Sequence, residues 1–460
     1  MRADPVIFRQ YDIRGTVGVD LTEAVATLVG RAVGSEARER LGRAPIIAVG
    51  RDNRPSGAGL LGALIEGLTS SGAVVRSIGL APTPALYFAI HHLHADGGVQ
   101  VTGSHNPPEF NGFKMVLGGV PFAGDDIQGL RQRIDQGRFA TGKGTVENHT
   151  VLGAYQDEIV RRIGKLPRPV RVAVDCGNGV PAVVAPALLK RLGADITPLF
   201  CESDGTFPNH HPDPTVEKNL DDLKAAVRDR QLELGIAFDG DGDRIGAVDE
   251  RGGVLWGDQL LIIYGRDLTR RLGKGQEIIF DVKCSDVLAL ALEKAGARPV
   301  MWMTGHSHIK KKMKASGAAL AGEMSGHMFF GPPDYLGFDD ALYAAARLLR
   351  IVAETPGPVS GFLADLPRMV ATPEIRVDCA EDRKVPVVAQ AAQHFASRYP
   401  TVTIDGVRWR AEGGWGLIRA SNTQPILVLR FEARDERSLE RIRSEALQVL
   451  AAQGVRLPAT

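Results

Sequence analysis

Residues Asp239-Gly-Asp-Gly-Asp-Arg244 set three carboxylates at alternate positions between two short apolar runs, Leu234–Phe238 and Ile245–Val248. Alternate residues of an extended chain face the same side, so Asp239, Asp241 and Asp243 can converge on one point. Three carboxylates that close repel one another unless they are protonated or share a cation. An all-oxygen donor set suits a hard ion, Mg²⁺ ahead of Ca²⁺ or Mn²⁺. The intervening glycines let the backbone bend tightly and come close to a ligand. Arg244 adds a planar cation suited to phosphate. The chemistry implied is metal-assisted work on a phosphate.

Two other readings compete for this stretch. Asp at positions 1, 3 and 5 with Glu250 at position 12 approaches an EF-hand loop, but position 6 is Arg244 instead of glycine and the flanks read as strands. A solvated acidic turn is the ordinary fate of an Asp-Gly cluster. Support has to come from other loops. Thr102-Gly-Ser-His-Asn-Pro107 holds Ser104 between a glycine and a Pro-restricted Asn106, a setting that can expose a hydroxyl on a fixed backbone. Gly322-Glu-Met-Ser-Gly-His327 is a third polar loop. In Gly413–Pro425, Arg419, Ser421, Asn422 and Thr423 supply a guanidinium, two hydroxyls and an amide within five residues, enough to grip a phosphate. Taken singly, the serine loop and this last one read equally well as turns closed by local hydrogen bonds. Gly137-Arg-Phe-Ala-Thr-Gly-Lys143 begins like a P-loop, but Gly144 stands where Ser or Thr is needed, no strand enters and no clear helix leaves, so it reads as linker.

The elements that position these loops recur. Three times a β-rich strand is followed by a polar turn, an apolar-periodic helix, Gly-Ala and a second strand: Ile46–Asp52 to Ile78, Val170–Asp175 to Ile196, and Glu277–Asp281 to Met301. Glycine after the last helical turn is the expected stop. Strands alternating with helices predict βαβ units and sheets that are at least partly parallel. Each copy is followed by one polar loop, and three such loops in comparable places suggest sheets arranged around one cleft. After Leu366-Pro367 the pattern changes to strand-like runs (Ile375–Val377, Val402–Ile404, Ile426–Phe431) and two helical stretches near 387–398 and 438–453, the mark of a smaller α+β domain.

At 460 residues the length points to about three domains. Hydrophobic content of 44% and charged content of 24% are those of an ordinary globular protein, and a formal net charge of +1 offers no basic field for nucleic acid or an anionic membrane. The 53 glycines fit many tight turns and ligand-contacting loops. Cys176, Cys201, Cys284 and Cys379 are far apart with no CxxC spacing, which argues against a zinc knuckle or a disulfide framework. The first residues lack the apolar run of a signal peptide and no stretch reaches membrane-span length, so the expected compartment is the cytoplasm.

Tyr11-Asp-Ile-Arg-Gly15, Thr102–Pro107, Asp239–Arg244, Gly322–His327 and Arg419–Thr423 occur in the order found in the α-D-phosphohexomutases. Along its whole length the chain resembles most the bacterial bifunctional phosphomannomutase/phosphoglucomutase branch. The resemblance implies three similar α/β domains with mixed sheets plus a smaller α+β C-terminal domain, arranged around a central cleft, at residues 1–149, 150–253, 254–366 and 367–460. It implies that Ser104 is the phosphoserine of the active enzyme and, with Asp239, Asp241 and Asp243, a ligand of Mg²⁺. Arg14, His105, Lys114 and Arg244 would surround the reacting phosphoryl group, with Lys114 or His105 moving the proton. Glu323 and Ser325 would bind the sugar 3- and 4-hydroxyls. Arg419, Ser421, Asn422 and Thr423 would hold the other phosphate, with Tyr11, Lys283 and His306 lining the same cleft. For His306 the residues alone suggest only a polar start to a helix over 307–314.

The implied reaction interconverts hexose 1-phosphate and hexose 6-phosphate, of mannose and of glucose, through a hexose 1,6-bisphosphate that also serves as activator. The implied enzyme is a monomer that uses neither nucleic acid nor membrane. Met324 resembles the dual-specificity branch. Phosphoglucosamine mutases usually carry Gln there and Ala before the serine, where this chain has Gly103. That branch is the alternative enzyme, and a non-catalytic sugar-phosphate binder the alternative from another class.

Overall fold

In a computed structural model of the chain, residues 3–422 and 424–456 are described. The first β-branched runs of the three sequence repeats, Ile46–Arg51, Arg171–Asp175 and Glu277–Asp281, form inner strands of three sheets, because side chains branched at Cβ pack well on a pleated surface covered on both faces. In the first sheet Val74–Leu80, Ile46–Arg51 and Gly97–Val101 lie side by side and parallel, and Phe110–Leu117 returns antiparallel beside the last. The second repeats that order with Asp195–Leu199, Arg171–Asp175, Leu234–Phe238 and antiparallel Ile245–Asp249. The third does so with Arg298–Trp302, Glu277–Asp281, Leu320–Gly322 and antiparallel Met328–Phe330. The serine, aspartate and Glu323 loops are therefore one and the same connection in three copies, the hairpin that joins the third strand to the fourth. All three emerge at the carboxyl end of parallel strands, where α/β folds place ligands.

The helices inside the second and third repeats, Ala185–Leu192 and Asp286–Ala295, stop on Gly193 and Gly296, both left-handed with φ of 102° and 90°. The second sheet also takes in Val254–Leu255, paired with Ala247 and Val248, so the sequence boundary at 253/254 falls inside it. One continuous core joins the first three units: Tyr87 and Phe88 of the first, Tyr155 of the second, and Tyr335, Phe338 and Tyr343 of the third are buried in it. The C-terminal unit has its own core, in which Trp409 stacks on Phe395 with ring centroids 3.7 Å apart. It meets the third unit through a small apolar patch of Val282, Trp415, Leu417 and Met301. Around that patch run polar contacts: Arg408 to the Cys284 carbonyl (3.0 Å), Arg410 to Asp286 (2.9 Å) and Ser285 to Glu432 (2.8 Å). A joint this small and polar suits a body that moves relative to the rest.

Two segments differ from the sequence expectation. Most of Gly413–Pro425 is strand: Gly414–Ala420 pairs on one side with Val407–Ala411 and on the other with Ile426–Ala433. Glycines masked it. Gly416 lies under the Trp409 ring, where an added Cβ would sit 2.3 Å from Cζ2, so the strand needs the absence of a side chain there. The segment 137–143, expected as interdomain linker, backs on the first unit through Gly142 N–H to the Ser70 carbonyl (2.9 Å) and leads into edge strand Thr145–Asn148, parallel to Val74–Leu80.

Candidate active site

Ser104 is 2% exposed and its backbone is left-handed, φ 51°, a conformation that costs a non-glycine residue of order 1–3 kcal/mol and persists only where the surroundings impose it. Those surroundings are visible. Its N–H donates to Thr102 Oγ1 (2.8 Å), and Arg54 donates to the carbonyls of Ser104 (3.0 Å), Asn106 (2.5 Å), Pro107 (2.5 Å) and Phe110 (2.9 Å). Asp52 completes the frame, accepting from Arg54 Nε (3.2 Å) and from Gly103 N–H (3.1 Å). So held, Ser104 Oγ lies 3.1 Å from Asp239 Oδ2 and 3.2 Å from His105 Nδ1.

Asp239, Asp241 and Asp243 are fully buried, with one oxygen of each within 4.8 Å of the others. Asp239 Oδ1 is fixed by the N–H groups of Gly242 (3.0 Å), Asp243 (3.1 Å) and Arg244 (3.1 Å). Lys114 reaches in from strand Phe110–Leu117 to Asp241 (2.7 Å) and to Asp243, and Thr83 Oγ1 donates to Asp241 (2.5 Å). The backbone of Gly240 passes so near the Ser104 carbonyl that a Cβ would lie 2.4 Å from it, which brings the aspartate loop against the serine loop. Burial, reinforced by the charges of Asp243 and Asp241, pushes the Asp239 carboxyl well above its ordinary range. Burial works against charge on Asp241 and Lys114 too, but each holds the other ionised: Asp241 is lowered and Lys114 raised. Asp241 Oδ1 and Asp243 Oδ1 are buried with no hydrogen-bond partner among the described residues. Two orphaned carboxylate oxygens beside a strained third carboxylate fit a divalent cation held by Asp239, Asp241 and Asp243.

The remaining candidates surround this point. Arg14 donates to Asn106 Oδ1 (2.8 Å) and pairs with Asp12 (2.5 Å) at the mouth of the serine loop. His105 is pushed well below its ordinary range by burial and by Arg244, Arg14 and Lys114, so its ring is neutral. Arg244 Nε donates to His327 Nε2 (3.0 Å), which leaves the His327 ring proton on Nδ1, 3.1 Å from Asp339 Oδ2. Lys310 holds the other Asp339 oxygen at 2.8 Å. His306 stacks on His327 with centroids 5.5 Å apart and opens helix His306–Ser316. Glu323, buried and pushed up by that burial, accepts from Gly305 N–H (2.5 Å), and Ser325 is half-buried in the same turn.

The fourth loop meets the others across the cleft. Tyr11 OH donates to the Thr304 carbonyl (2.8 Å) and accepts from Asn422 Nδ2. Arg419 Nε donates to Asp405, which also accepts from Thr304 N–H (2.9 Å each), while Arg419 Nη2 is buried without a partner among the described residues. Lys384, behind this loop, donates to the carbonyls of Ser421 (2.7 Å) and Gln424 (2.9 Å), as Arg54 does behind the serine loop. Lys283 pairs with Glu374 at 3.2 Å. Thr423 lies outside the described residues.

Sequence reasoning missed Arg54, Asp52, Lys384, Asp339 and Asp405. Arg54 and Lys384 act on backbone carbonyls, for which no residue pattern codes. Asp339 and Asp405 find their partners only in three dimensions. The single available hint was that Asp52 and Arg54 follow directly on the strand Ile46–Arg51.

Four family models cover the chain in order: phosphoglucomutase/phosphomannomutase alpha/beta/alpha domain I over residues 5–141, domain II over 154–253, domain III over 256–370, and the C-terminal domain over 374–449. A phosphomannomutase/phosphoglucomutase of Pseudomonas aeruginosa is 48% identical over 454 residues, 98% of this chain and 97% of that protein. A phosphoglucomutase of Neisseria gonorrhoeae is 45% identical over 96% of each chain. Among solved structures, a phosphoglucomutase/phosphomannomutase family protein from Burkholderia thailandensis superposes with a TM-score of 0.92 at 43% identity, over 99% of this chain and all of that one. With four domains in the family order, sheets of the family kind and the polar loops of all four facing one cleft, the chain belongs to the phosphoglucomutase/phosphomannomutase family of mutases.

Proposed function

We propose that this protein interconverts the 1- and 6-phosphates of glucose and mannose through a phosphorylated Ser104 and a hexose 1,6-bisphosphate. The observation that carries the proposal is the placement of Ser104 Oγ, in a strained and framed loop, 3.1 Å from a carboxylate of the buried three-aspartate cluster. In the first step the bond from phosphorus to Ser104 Oγ breaks and one to the free sugar hydroxyl forms. The hydroxyl proton passes to His105, whose neutral ring can accept it and return it to Ser104 Oγ, 3.2 Å from Nδ1, while Lys114, held ionised beside Asp241, contributes charge. The bisphosphate then turns in the cleft, and its other phosphate returns to Ser104 by the reverse step. Arg14 and Arg244 offer charge to the phosphoryl group in transit, and positioning with charge neutralisation is the main source of rate in such transfers. Asp239, Asp241 and Asp243, with an oxygen of phosphoserine 104, would hold Mg²⁺, which when bound draws charge off the transferred phosphoryl group.

Glu323 and Ser325 are proposed to bind the 3- and 4-hydroxyls. Glucose and mannose differ only at carbon 2, so a site that grips carbons 3 and 4 accepts both. Arg419, with its unpartnered buried Nη2, together with Ser421, Asn422, Thr423, Lys283, His306 and Tyr11, is proposed to hold the phosphate that is not reacting. The C-terminal domain would swing on its small polar joint to admit and turn the ligand. The protein is proposed to work as a monomer. No described helix is long and apolar enough to cross a membrane. The protein is proposed to work in the cytoplasm.

The test is a coupled mutase assay with Mg²⁺ and a trace of glucose 1,6-bisphosphate, comparing glucose 1-phosphate, mannose 1-phosphate and glucosamine 1-phosphate by kcat/KM. Comparable values for the first two are expected. Dominance of the amino sugar would reassign the chain to the phosphoglucosamine branch, and binding without any turnover would make it a sugar-phosphate binder. Ser104→Ala should abolish sustained turnover and phosphate labelling of the protein while leaving ligand affinity within a few-fold. Affinity lost to the same degree as turnover would remove Ser104 from the nucleophile role.

A further inference from the structure

Cysteine spacing argues against a disulfide framework, and all four thiols are free. Folding nevertheless brings two of them together: Cys176 Sγ and Cys201 Sγ are 3.1 Å apart, about 1 Å beyond the length of a disulfide bond. They follow two neighbouring parallel strands, Arg171–Asp175 and Asp195–Leu199, in which Asp175 pairs with Leu199. The pairing runs on past the strand ends through Cys176 N–H to the Leu199 carbonyl (3.1 Å) and Asn178 N–H to the Phe200 carbonyl (2.9 Å). Phe200 is left-handed, φ 48°, and this bend turns the next side chain back over its own strand. Cys201 Sγ accordingly sits 3.3 Å from the Leu199 carbonyl and 3.4 Å from that of Val174, facing Cys176.

The two thiols are unequal. Cys176 is fully buried and Cys201 only partly so, which leaves Cys201 as the sulfur a reagent can reach. The contact with Cys176 holds the Cys201 thiol below its ordinary range, while burial pushes Cys176 well up. Cys284 differs from both, buried and hydrogen-bonded to Asp281 (3.0 Å). The pair also lies behind the metal loop. Gly179 N–H donates to the Cys176 carbonyl (2.7 Å), and the next residue, Val180, donates its N–H to the carbonyl of Gly240 (3.0 Å), between Asp239 and Asp241. A pull on Cys176 is therefore transmitted through three residues to the backbone that carries the aspartates.

We propose that Cys176 and Cys201 form a reversible thiol–disulfide site, closed by exchange with a low-molecular-weight disulfide, and that closing it weakens cation binding at Asp239, Asp241 and Asp243. The Cys201 thiolate attacks one sulfur of the reagent, its S–S bond breaks, and one thiolate departs with the proton Cys201 gave up. Cys176 then loses its proton and attacks Cys201 Sγ in the mixed disulfide, expelling the second thiolate, which takes that proton. One disulfide bond is exchanged for another, and two electrons pass from the protein to the reagent.

The experiment treats the purified full chain with oxidised glutathione, traps free thiols with N-ethylmaleimide and maps the peptides without reduction. The expected result is a Cys176–Cys201 linked peptide with Cys284 and Cys379 alkylated. Cys176→Ser should instead stop at glutathione held on Cys201. Four alkylated cysteines, or a mixed disulfide that persists in the unaltered chain, would overturn the site. Mn²⁺ affinity, read by electron paramagnetic resonance, should fall several-fold on oxidation, recover with dithiothreitol, and show no redox dependence in Cys201→Ser. Equal Mn²⁺ affinity in the two states, or none in either, would overturn the link to the metal loop. Both readouts are independent of turnover, so they stand or fall apart from the proposed mutase reaction.

Discussion

Arg54 holds Ser104 from behind: Nη2 donates to the Ser104 carbonyl at 3.0 Å, and the same guanidinium binds the carbonyls of Asn106, Pro107 and Phe110. Arg54 is 1% exposed and leans on Asp52, equally buried. A planar, five-donor cation is the one side chain able to tie four carbonyls of a single loop. Gly103 leaves room for it: a Cβ there would lie 2.4 Å from the guanidinium and would force Arg54 to shift.

Arg54→Ala therefore leaves the buried Asp52 carboxylate without its cation and four loop carbonyls without their donor. The expected loss is roughly 3–5 kcal/mol in equilibrium unfolding by urea. Arg54→Lys should recover little of it, because a single ammonium cannot span the loop. A loss under about 1 kcal/mol for Arg54→Ala would show that the loop keeps its shape without the guanidinium.

Cation binding should relieve the crowding of Asp239, Asp241 and Asp243, whose fixed partners include only one ammonium, that of Lys114. Mg²⁺ at a hundred times its dissociation constant is expected to stabilise the fold by about 2.7 kcal/mol, seen as a rise in Tm that a chelator reverses. Asp241→Asn should lose most of that rise. If the variant responds to Mg²⁺ as the unaltered chain does, the ion binds elsewhere.

Arg419 places an unpartnered Nη2 at the fourth loop while Asp405 fixes its Nε. Arg419→Ala should weaken hexose monophosphate and bisphosphate alike, by about ten- to a hundredfold, the worth of a charged hydrogen bond of roughly 1.5–3 kcal/mol. Calorimetric titration decides it. An unchanged affinity for both ligands would take Arg419 out of the clamp.

Burial pushes Asp340 up to about 6, although it accepts hydrogen bonds from Tyr343 N–H (2.9 Å), Tyr155 OH (2.8 Å) and Tyr335 OH (2.9 Å). In the unfolded chain an aspartate titrates near 3.9. Between roughly pH 4 and 6 the folded state thus binds more protons, so this group's contribution to stability falls as pH rises through that window and then levels off. Asp340→Asn removes the slope. Relative to the unaltered chain the variant should gain on the order of 2–3 kcal/mol between pH 4 and pH 7, followed as the difference in Tm. An equal offset at both pH values would mean that Asp340 titrates normally.

The candidate groups were legible in the chain because each set of them is local. Asp239 to Arg244, Thr102 to Pro107 and Gly322 to His327 each put their functional groups within six residues, and strand periodicity with glycine stops announced three equal units around them. The strand Gly414–Ala420 was not legible, since its glycines look like loop until Trp409 is seen to cover Gly416. Nor was the support behind the loops. Arg54 and Lys384 act on main-chain carbonyls, which every residue carries, so their partners leave no trace in residue type. Cys176 and Cys201 stand 25 positions apart, and only the pairing of two parallel strands and the bend at Phe200 put their sulfurs in contact. Sequence alone determined which groups are available and in what local order. The tertiary structure decided which of them are buried together, because desolvation and contact across distant segments arise only when the sheets pack.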